Sequence, residues 1–389
     1  MIDARDLAAR MAALEPIGLG PDGTTRLAWT TEDEAAGAWF ATQAQGLGLR
    51  VERDGAGNRW ALPAGQGPWW AVGSHLDSVR AGGRFDGALG VVAAFAVAAR
   101  CSKRVAVVSF ADEEGARFNT PTFGSRALTG ALDVADVLAR TDEDGVALPD
   151  AMRAAGIDPD DLASATAGLE RLRGFVELHI DQSTDVDAAG AAFGVVSGLA
   201  ARRRLALTLR GRADHAGTTA MDERRDAMAV AARVIVAALD LGTAAGLRVT
   251  PGRLLVEPNA LTTIPARVQL WLDARGPDAA ALDGFVAALG ERAQALGGDG
   301  RVEVALRVES RSDATVFDPA LRACLAANGA PELLCFAGHD AGLVAARRPA
   351  AMVLVRNPSG ISHDAAEQVA LEDAAAGASA VLALLEAVA

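Results

Sequence analysis

The chain has no tyrosine, a single lysine (Lys103), three cysteines and five histidines in 389 residues. With so few candidates, phenol acid catalysis and lysine Schiff-base chemistry are effectively excluded. Cys101, Cys324 and Cys335 are odd in number and have no Cys-x-x-Cys spacing. Neither a disulfide framework nor a thiolate zinc site is expected, and a reducing cytoplasm is the simplest compartment. Long hydrophobic runs are also missing: the longest, Leu89 to Ala99, is about half of what a membrane span needs. Asp3, Arg5, Asp6, Arg10 and Glu15 interrupt the first segment, which excludes the apolar core of a secretory signal. Basic residues are outnumbered, 37 against 50 acidic, for a net charge of −13. That balance disfavours nucleic acid or an anionic membrane as partner. A small polar substrate is expected instead, and a few arginines in a cleft can still hold an anionic one, because distant surface charges are screened.

What histidine there is sits in polar motifs: His75 in Gly-Ser-His-Leu-Asp, His179 in Glu-Leu-His-Ile-Asp-Gln, His215 in Asp-His-Ala-Gly-Thr-Thr, His339 in Gly-His-Asp-Ala and His363 in Ile-Ser-His-Asp. Imidazole is the commonest metal ligand and the usual acid or base near neutral pH, so this usage points to a site.

The hydrophobic pattern predicts an α/β fold. Helices are expected at about 3 to 14 and 31 to 47, then strands at 49 to 53 and 59 to 63. The apolar runs 69 to 74, 105 to 110 and 174 to 180 each end in a polar cluster, with a helix over 87 to 100 after the first. Ligands in open α/β sheets bind beyond the carboxyl ends of the strands, where these clusters fall. From 203 to 308 the order becomes strand, helix, strand, strand, helix, strand, as in a ferredoxin-like α+β sandwich. The expected organisation is a discontinuous first domain, 1–197 with 311–389, carrying an inserted domain, 198–310.

His75 and Asp86 share one Gly-rich loop, Glu113 and Glu114 follow the next strand, His179 follows a third, and His363 lies in the returning segment. Two divalent cations about 3.5 to 4 Å apart need a bridging carboxylate with terminal nitrogen and oxygen ligands, a mixture that zinc or manganese accepts. Asp77 is placed to orient the His75 imidazole, and the Glu113–Glu114 pair lets one carboxylate bind metal while the other takes a proton. Asp181, Asp185 and Asp187 read as a solvated loop. The Arg202–Arg204 run reads as a solvated strand start, with a substrate anchor as the lesser alternative.

Gly-Ser-His-Leu-Asp-Ser-Val (73 to 79), Gly-Gly-Arg-Phe-Asp-Gly-Ala-Leu-Gly-Val (82 to 91), Phe-Ala-Asp-Glu-Glu-Gly (110 to 115), Glu-Leu-His-Ile-Asp-Gln (177 to 182), Ala-Asp-His-Ala-Gly-Thr-Thr (213 to 219), Val-Glu-Pro-Asn (256 to 259), Leu-Asp-Ala-Arg (272 to 275), Gly-His-Asp-Ala-Gly (338 to 342) and Ile-Ser-His (361 to 363) resemble the amidohydrolase (hydantoinase/carbamoylase) branch of the dinuclear-metal peptidase superfamily. That branch holds N-carbamoyl-L-amino acid hydrolases, β-ureidopropionases and allantoate amidohydrolases. The resemblance implies a zinc-peptidase-like open mixed sheet with an inserted lid and dimerisation domain. It implies two divalent metal ions per subunit (zinc or manganese, with cobalt or nickel as further options). His75 and His179 would hold one ion, Glu114 and His363 the other, and Asp86 would bridge. Glu113 would be the general base for the bridging water, with Asp77 counted among the catalytic residues through its orientation of His75. His215 would stabilise the oxyanion from the partner subunit of a homodimer. Gln182, Arg275, Asn259, Thr262 and His339 would bind a carboxylate-bearing substrate. The chain departs from the family in having Asp181 and Ser183 where Glu and Gly are usual, and Thr262 where Asn is usual, which bears on substrate preference.

The expected activity is metal-dependent hydrolysis of a linear amide, a ureido or carbamoyl group on allantoate or an N-carbamoyl amino acid. An N-formyl or N-acyl amino acid such as N-formylglutamate is the alternative on the same fold. A catalytically silent binding protein is the distant one.

Overall fold

The structure, a computed structural model, describes residues 1–389. The chain divides into two compact units, Met1–Gly198 with Val316–Ala389, and Leu199–Thr315.

In the first unit a mixed sheet runs in the order Arg50–Arg53, Arg59–Leu62, Val105–Phe110, Trp69–His75, Leu172–Ile180, Ala350–Val355, Phe193–Leu199. The four strands from Val105–Phe110 to Ala350–Val355 are mutually parallel. They read as unbroken apolar runs because helices cover both faces of a parallel sheet. Register places His75 opposite Phe110 and Leu354 opposite His179. The polar clusters that follow these strands therefore gather at one sheet edge. Helix Ala88–Arg100 buries its first ten residues in the core. It begins at Gly87, whose φ is +63° and where an added Cβ would stand 2.3 Å from the His75 ring, so only glycine fits.

The second unit is an antiparallel sheet ordered Glu303–Ser312, Ala201–Arg210, Arg267–Gly276, Arg248–Glu257, with helices Ala227–Ala244 and Ala279–Gly300 packed on it. Numbered along the chain, that order is 4-1-3-2, the ferredoxin-like arrangement. Its last strand runs to Ser312, so this unit continues past residue 310. Ala227–Ala244 is the one helix, among the described residues, long and apolar enough by composition to cross a membrane. Its Val230, Ala231, Val234 and Ala238 pack into the core of this unit.

Alternation along Ala201–Arg210 leaves Arg204 exposed, as expected of a solvated strand start, but corrects the expectation for Arg203. Arg203 faces the helices with the buried Leu205, Leu207 and Leu209, and its guanidinium bonds Asp283 at 2.9 Å and the Ser312 carbonyl at 3.1 Å. It is a structural ion pair, neither solvated nor available to substrate.

Candidate metal centre and active site

Two groups of ligand atoms, each within 4.8 Å of one another, meet at the carboxyl edge of the parallel strands: His75, Asp86 and His179, and Asp86, Glu114 and His363. Asp86 belongs to both. Its Oδ1 lies 3.4 Å from His75 Nε2 and 3.1 Å from His179 Nε2, while its Oδ2 lies 3.6 Å from His363 Nε2. Glu114 Oε2 stands 3.3 Å from the same His363 nitrogen. One carboxylate thus presents one oxygen to each group.

The ring orientations are fixed from behind. His179 Nδ1 donates to the Ile180 carbonyl at 2.9 Å and His75 Nδ1 to the Asp77 carbonyl at 3.0 Å. A carbonyl only accepts, so both rings carry a proton on Nδ1 and turn Nε2, the nitrogen left to bind a cation or to take a second proton, toward Asp86. Sequence reasoning gave the orienting role to the Asp77 carboxylate. That carboxylate is 3.6 Å from the ring and instead accepts the main-chain N–H groups of Glu113 (3.2 Å) and Glu114 (3.1 Å). Asp77 therefore holds the acidic turn in place. The turn is strained, with Asp112 at φ +49°, a conformation that costs about 1–3 kcal/mol. Further bonds tie it down, from the Thr122 N–H to the Glu113 carbonyl and the Ala111 N–H to Asn58.

The electrostatics call for cations. Glu113 is buried, and burial raises its carboxyl pKa well above the usual range, with Asp340 and Glu114 adding to the rise against the opposing His75. Glu114 is pushed up to about 8 by burial and by Asp86. Asp86 goes the other way: burial is outweighed by His179 and His75, which hold it well below the usual carboxylate range. Burial opposes charge on His75, yet Asp86, Glu113 and Asp77 raise its pKa well above normal. Glu114 Oε1 is buried without a hydrogen-bond partner among the described residues. Several buried acids, an orphaned carboxylate oxygen and converging imidazole Nε2 atoms fit a pair of divalent cations.

The remaining predicted residues divide. Gln182 donates to Asp86 Oδ2 at 2.8 Å, as does Ser362 Oγ, so its amide supports the shared carboxylate. His339 is buried beside His179, ring centroids 4.4 Å apart, with both ring nitrogens unpartnered among the described residues. Burial and the neighbouring His179 depress its pKa well below normal, which keeps it neutral. His215, Asn259, Thr262 and Arg275 belong to the second unit. There His215 pairs with Thr263, and the Ala216 N–H donates to the Thr262 carbonyl. Arg275 sits at the opposite end of strand Arg267–Gly276, its Nε 2.8 Å from Asp273. At about 3.3 Å per residue that is roughly 25 Å from the His215 hairpin.

Asp181 is not part of a solvated loop. It is buried and accepts from the Ser183 N–H and hydroxyl and from the Val186 N–H. The two departures at 181 and 183 therefore bond each other. Sequence reasoning missed Glu177, which accepts from Ser74 Oγ and the Ala341 N–H, and Glu367, which accepts from the His363 N–H. The acidic residue four places after His363 was the available signal for the latter.

Residues 61–387 match the model of peptidase family M20/M25/M40. The chain belongs to this family. This M20 chain is 37% identical over 396 residues, 97% of each chain, to an N-carbamoyl-L-amino acid amidohydrolase of Geobacillus stearothermophilus. It is 33% identical, over 93% of its length and 92% of the relative's, to an allantoate amidohydrolase of Bacillus subtilis. Among solved structures, a hydantoinase/carbamoylase family amidase from Burkholderia multivorans superposes with a TM-score of 0.87 at 30% identity, covering 99% of this chain and 98% of the other.

Proposed function

We propose that this M20 chain hydrolyses a ureido group on a small carboxylate-bearing compound, an N-carbamoyl amino acid or allantoate. The observation that carries the reading is the placement of Asp86 between two ligand groups, with Glu113 Oε2 3.8 Å from His75 Nε2 at their margin. The names of the two relatives above support the substrate class.

His75, His179 and Asp86 would hold one cation and Asp86, Glu114 and His363 the other, zinc or manganese by the mix of nitrogen and oxygen donors. Cations bound there supply Lewis acidity toward water and carbonyl oxygen. Glu113, held by Asp77, accepts a proton from the attacking water and returns it to the leaving nitrogen. Water adds to the ureido carbon, and one carbon–nitrogen bond breaks to release the first nitrogen. The carbamate left behind breaks its second carbon–nitrogen bond spontaneously, so that the products in sum are an amine, ammonia and carbon dioxide. Arg275 offers a two-pronged partner for the substrate carboxylate.

The separation of His215 and Arg275 within one chain supports a homodimer in which the partner supplies the histidine, as the oxyanion donor. The strand Arg248–Glu257 lies at the edge of its sheet, with Leu254 and Leu255 exposed, and Met228, Val236 and Leu239 are exposed on helix Ala227–Ala244. An open edge beside apolar side chains is a natural pairing surface. Three cysteines, none of them in a disulfide, agree with a cytoplasmic home.

The test is to strip the protein with a chelator, reload it separately with zinc, manganese, cobalt or nickel, and assay allantoate, N-carbamoyl and N-formyl amino acids. Turnover of a ureido compound with at least one metal is expected. No turnover with any metal, or turnover of formyl compounds alone, defeats the reading.

A further inference from the structure

Glu367 lies outside every ligand group, yet its buried carboxylate holds together two segments that supply ligands. One oxygen, Oε2, accepts the main-chain N–H of Phe85 at 3.1 Å and of Asp86 at 3.3 Å. The other, Oε1, accepts the N–H of His363 at 3.2 Å. The two segments are nearly 280 positions apart in sequence, 281 between Glu367 and Asp86, and this side chain bonds both. Its own main chain is fixed by a turn, the Glu367 N–H donating to the Asp364 carbonyl at 3.1 Å.

Two features show that the contact is built. Gly83 packs against the carboxylate so closely that an added Cβ would stand 1.8 Å from Oε2 and 2.0 Å from Cδ. His363 is held at φ +59°, a strained conformation for a non-glycine residue that persists only where its surroundings impose it. The His363 side chain is about half exposed, so little packing restrains its ring. The N–H bond to Glu367 is what anchors its backbone toward the centre. By contrast His75 and His179 are fully buried and each is held through Nδ1.

We propose that Glu367 is a positioning residue for the second of the two cation subsites, setting the distance between the shared Asp86 and His363 so that His363 and Glu114 can close on one ion. This rests on the two-cation reading above. Carboxylates and carbonyls that orient ligands without touching the metal typically change metal affinity about 10–100-fold when removed. The effect here is expected to fall unequally: large at the Asp86–Glu114–His363 group, small at the His75–Asp86–His179 group, whose histidines have their own anchors.

The test is Glu367→Gln in the full chain. Glutamine keeps the size and one accepting oxygen, but its amide N–H₂ must face either the Phe85–Asp86 amides or that of His363. Zinc is titrated into chelator-stripped protein by calorimetry, and bound zinc is counted after dialysis. Wild type is expected to bind two ions per chain, and E367Q one ion with unchanged affinity and a second weakened about 10–100-fold. In a His363→Ala background, E367Q is expected to add almost nothing. The thermal midpoint of the stripped variant should match that of stripped wild type, which separates positioning from loss of fold. Gly83→Ala, which displaces the carboxylate without altering it, should reproduce the selective loss. Two undisturbed sites in E367Q, equal weakening of both, or failure of both variants to fold overturns the proposal. Wild-type protein that binds fewer than two ions instead overturns the two-cation reading on which it stands.

Discussion

His75 Nδ1 meets the main-chain carbonyl of Asp77 at 3.0 Å, while the Asp77 carboxylate, 3.6 Å from that nitrogen, accepts the N–H groups of Glu113 and Glu114. One residue thus holds the His75 ring with its backbone and the acidic turn with its side chain. The two duties are separable by substitution. Asp77→Asn leaves the carbonyl in place but replaces one accepting oxygen by a donor facing a main-chain N–H. The expected result is a kcat lower by about 10–100-fold with two metals still bound. Loss of the His75 subsite in metal counts would mean that the side chain, after all, holds the ring.

Glu113 lies at the margin of the ligand groups. Glu113→Gln preserves its volume and removes its ability to take a proton, so kcat should fall by about 10²–10⁴ while metal content is unchanged. Wild-type turnover in this variant would remove Glu113 from the mechanism.

The stripped protein should lose stability as pH rises between about 6.5, the ordinary histidine value, and about 8, where Glu114 titrates in the folded chain. Glu114, raised to about 8 by burial and by Asp86, and Glu113, raised by burial, keep protons in the folded state that the unfolded chain has already released. His75 and His179, raised by their carboxylate neighbours against burial, do the same. The folded state then binds more protons than the unfolded one, so stability falls with pH. His339, held neutral by burial, has the opposite sense only below this window. Cations would satisfy the same carboxylates and flatten the slope. Thermal midpoints of stripped and reloaded protein across the window measure this, and a stripped protein that gains stability with pH contradicts it.

Mixing two inactive variants tests whether sites are shared between subunits. If His215 acts in the partner's site, His215→Ala and Glu113→Gln homodimers are both impaired. After unfolding and refolding together, half of the dimers are mixed, and each has one intact site and one doubly altered site. About a quarter of wild-type activity should return. No recovery, with exchange verified by mass, would place His215 and Glu113 in the same subunit's site.

The candidate ligands stood out in the sequence because histidine is scarce and most of the polar clusters close apolar strands: His75 and His179 lie at the ends of Trp69–His75 and Leu172–Ile180, and an Asp-Glu-Glu follows the run Val105–Phe110. The strand-helix-strand order of the second unit was legible for the same reason, since periodicity is local. Between 111 and 171 no elements were foreseen, and the chain there forms short helices such as Phe123–Thr129 and Leu148–Ala154, too brief to establish a period. Sequence alone thus fixed which groups are present, namely the imidazoles, the paired glutamates and the compatible carboxylate Asp86. Only tertiary structure decided which atom of each group does what. It gave Asp77 its backbone role toward His75, turned Gln182 toward Asp86, buried Arg203 and Asp181 against partners, and set Glu367 between Asp86 and His363. Those assignments depend on hydrogen bonds between residues up to 281 positions apart, and no local pattern encodes the direction in which a buried polar atom must find its partner.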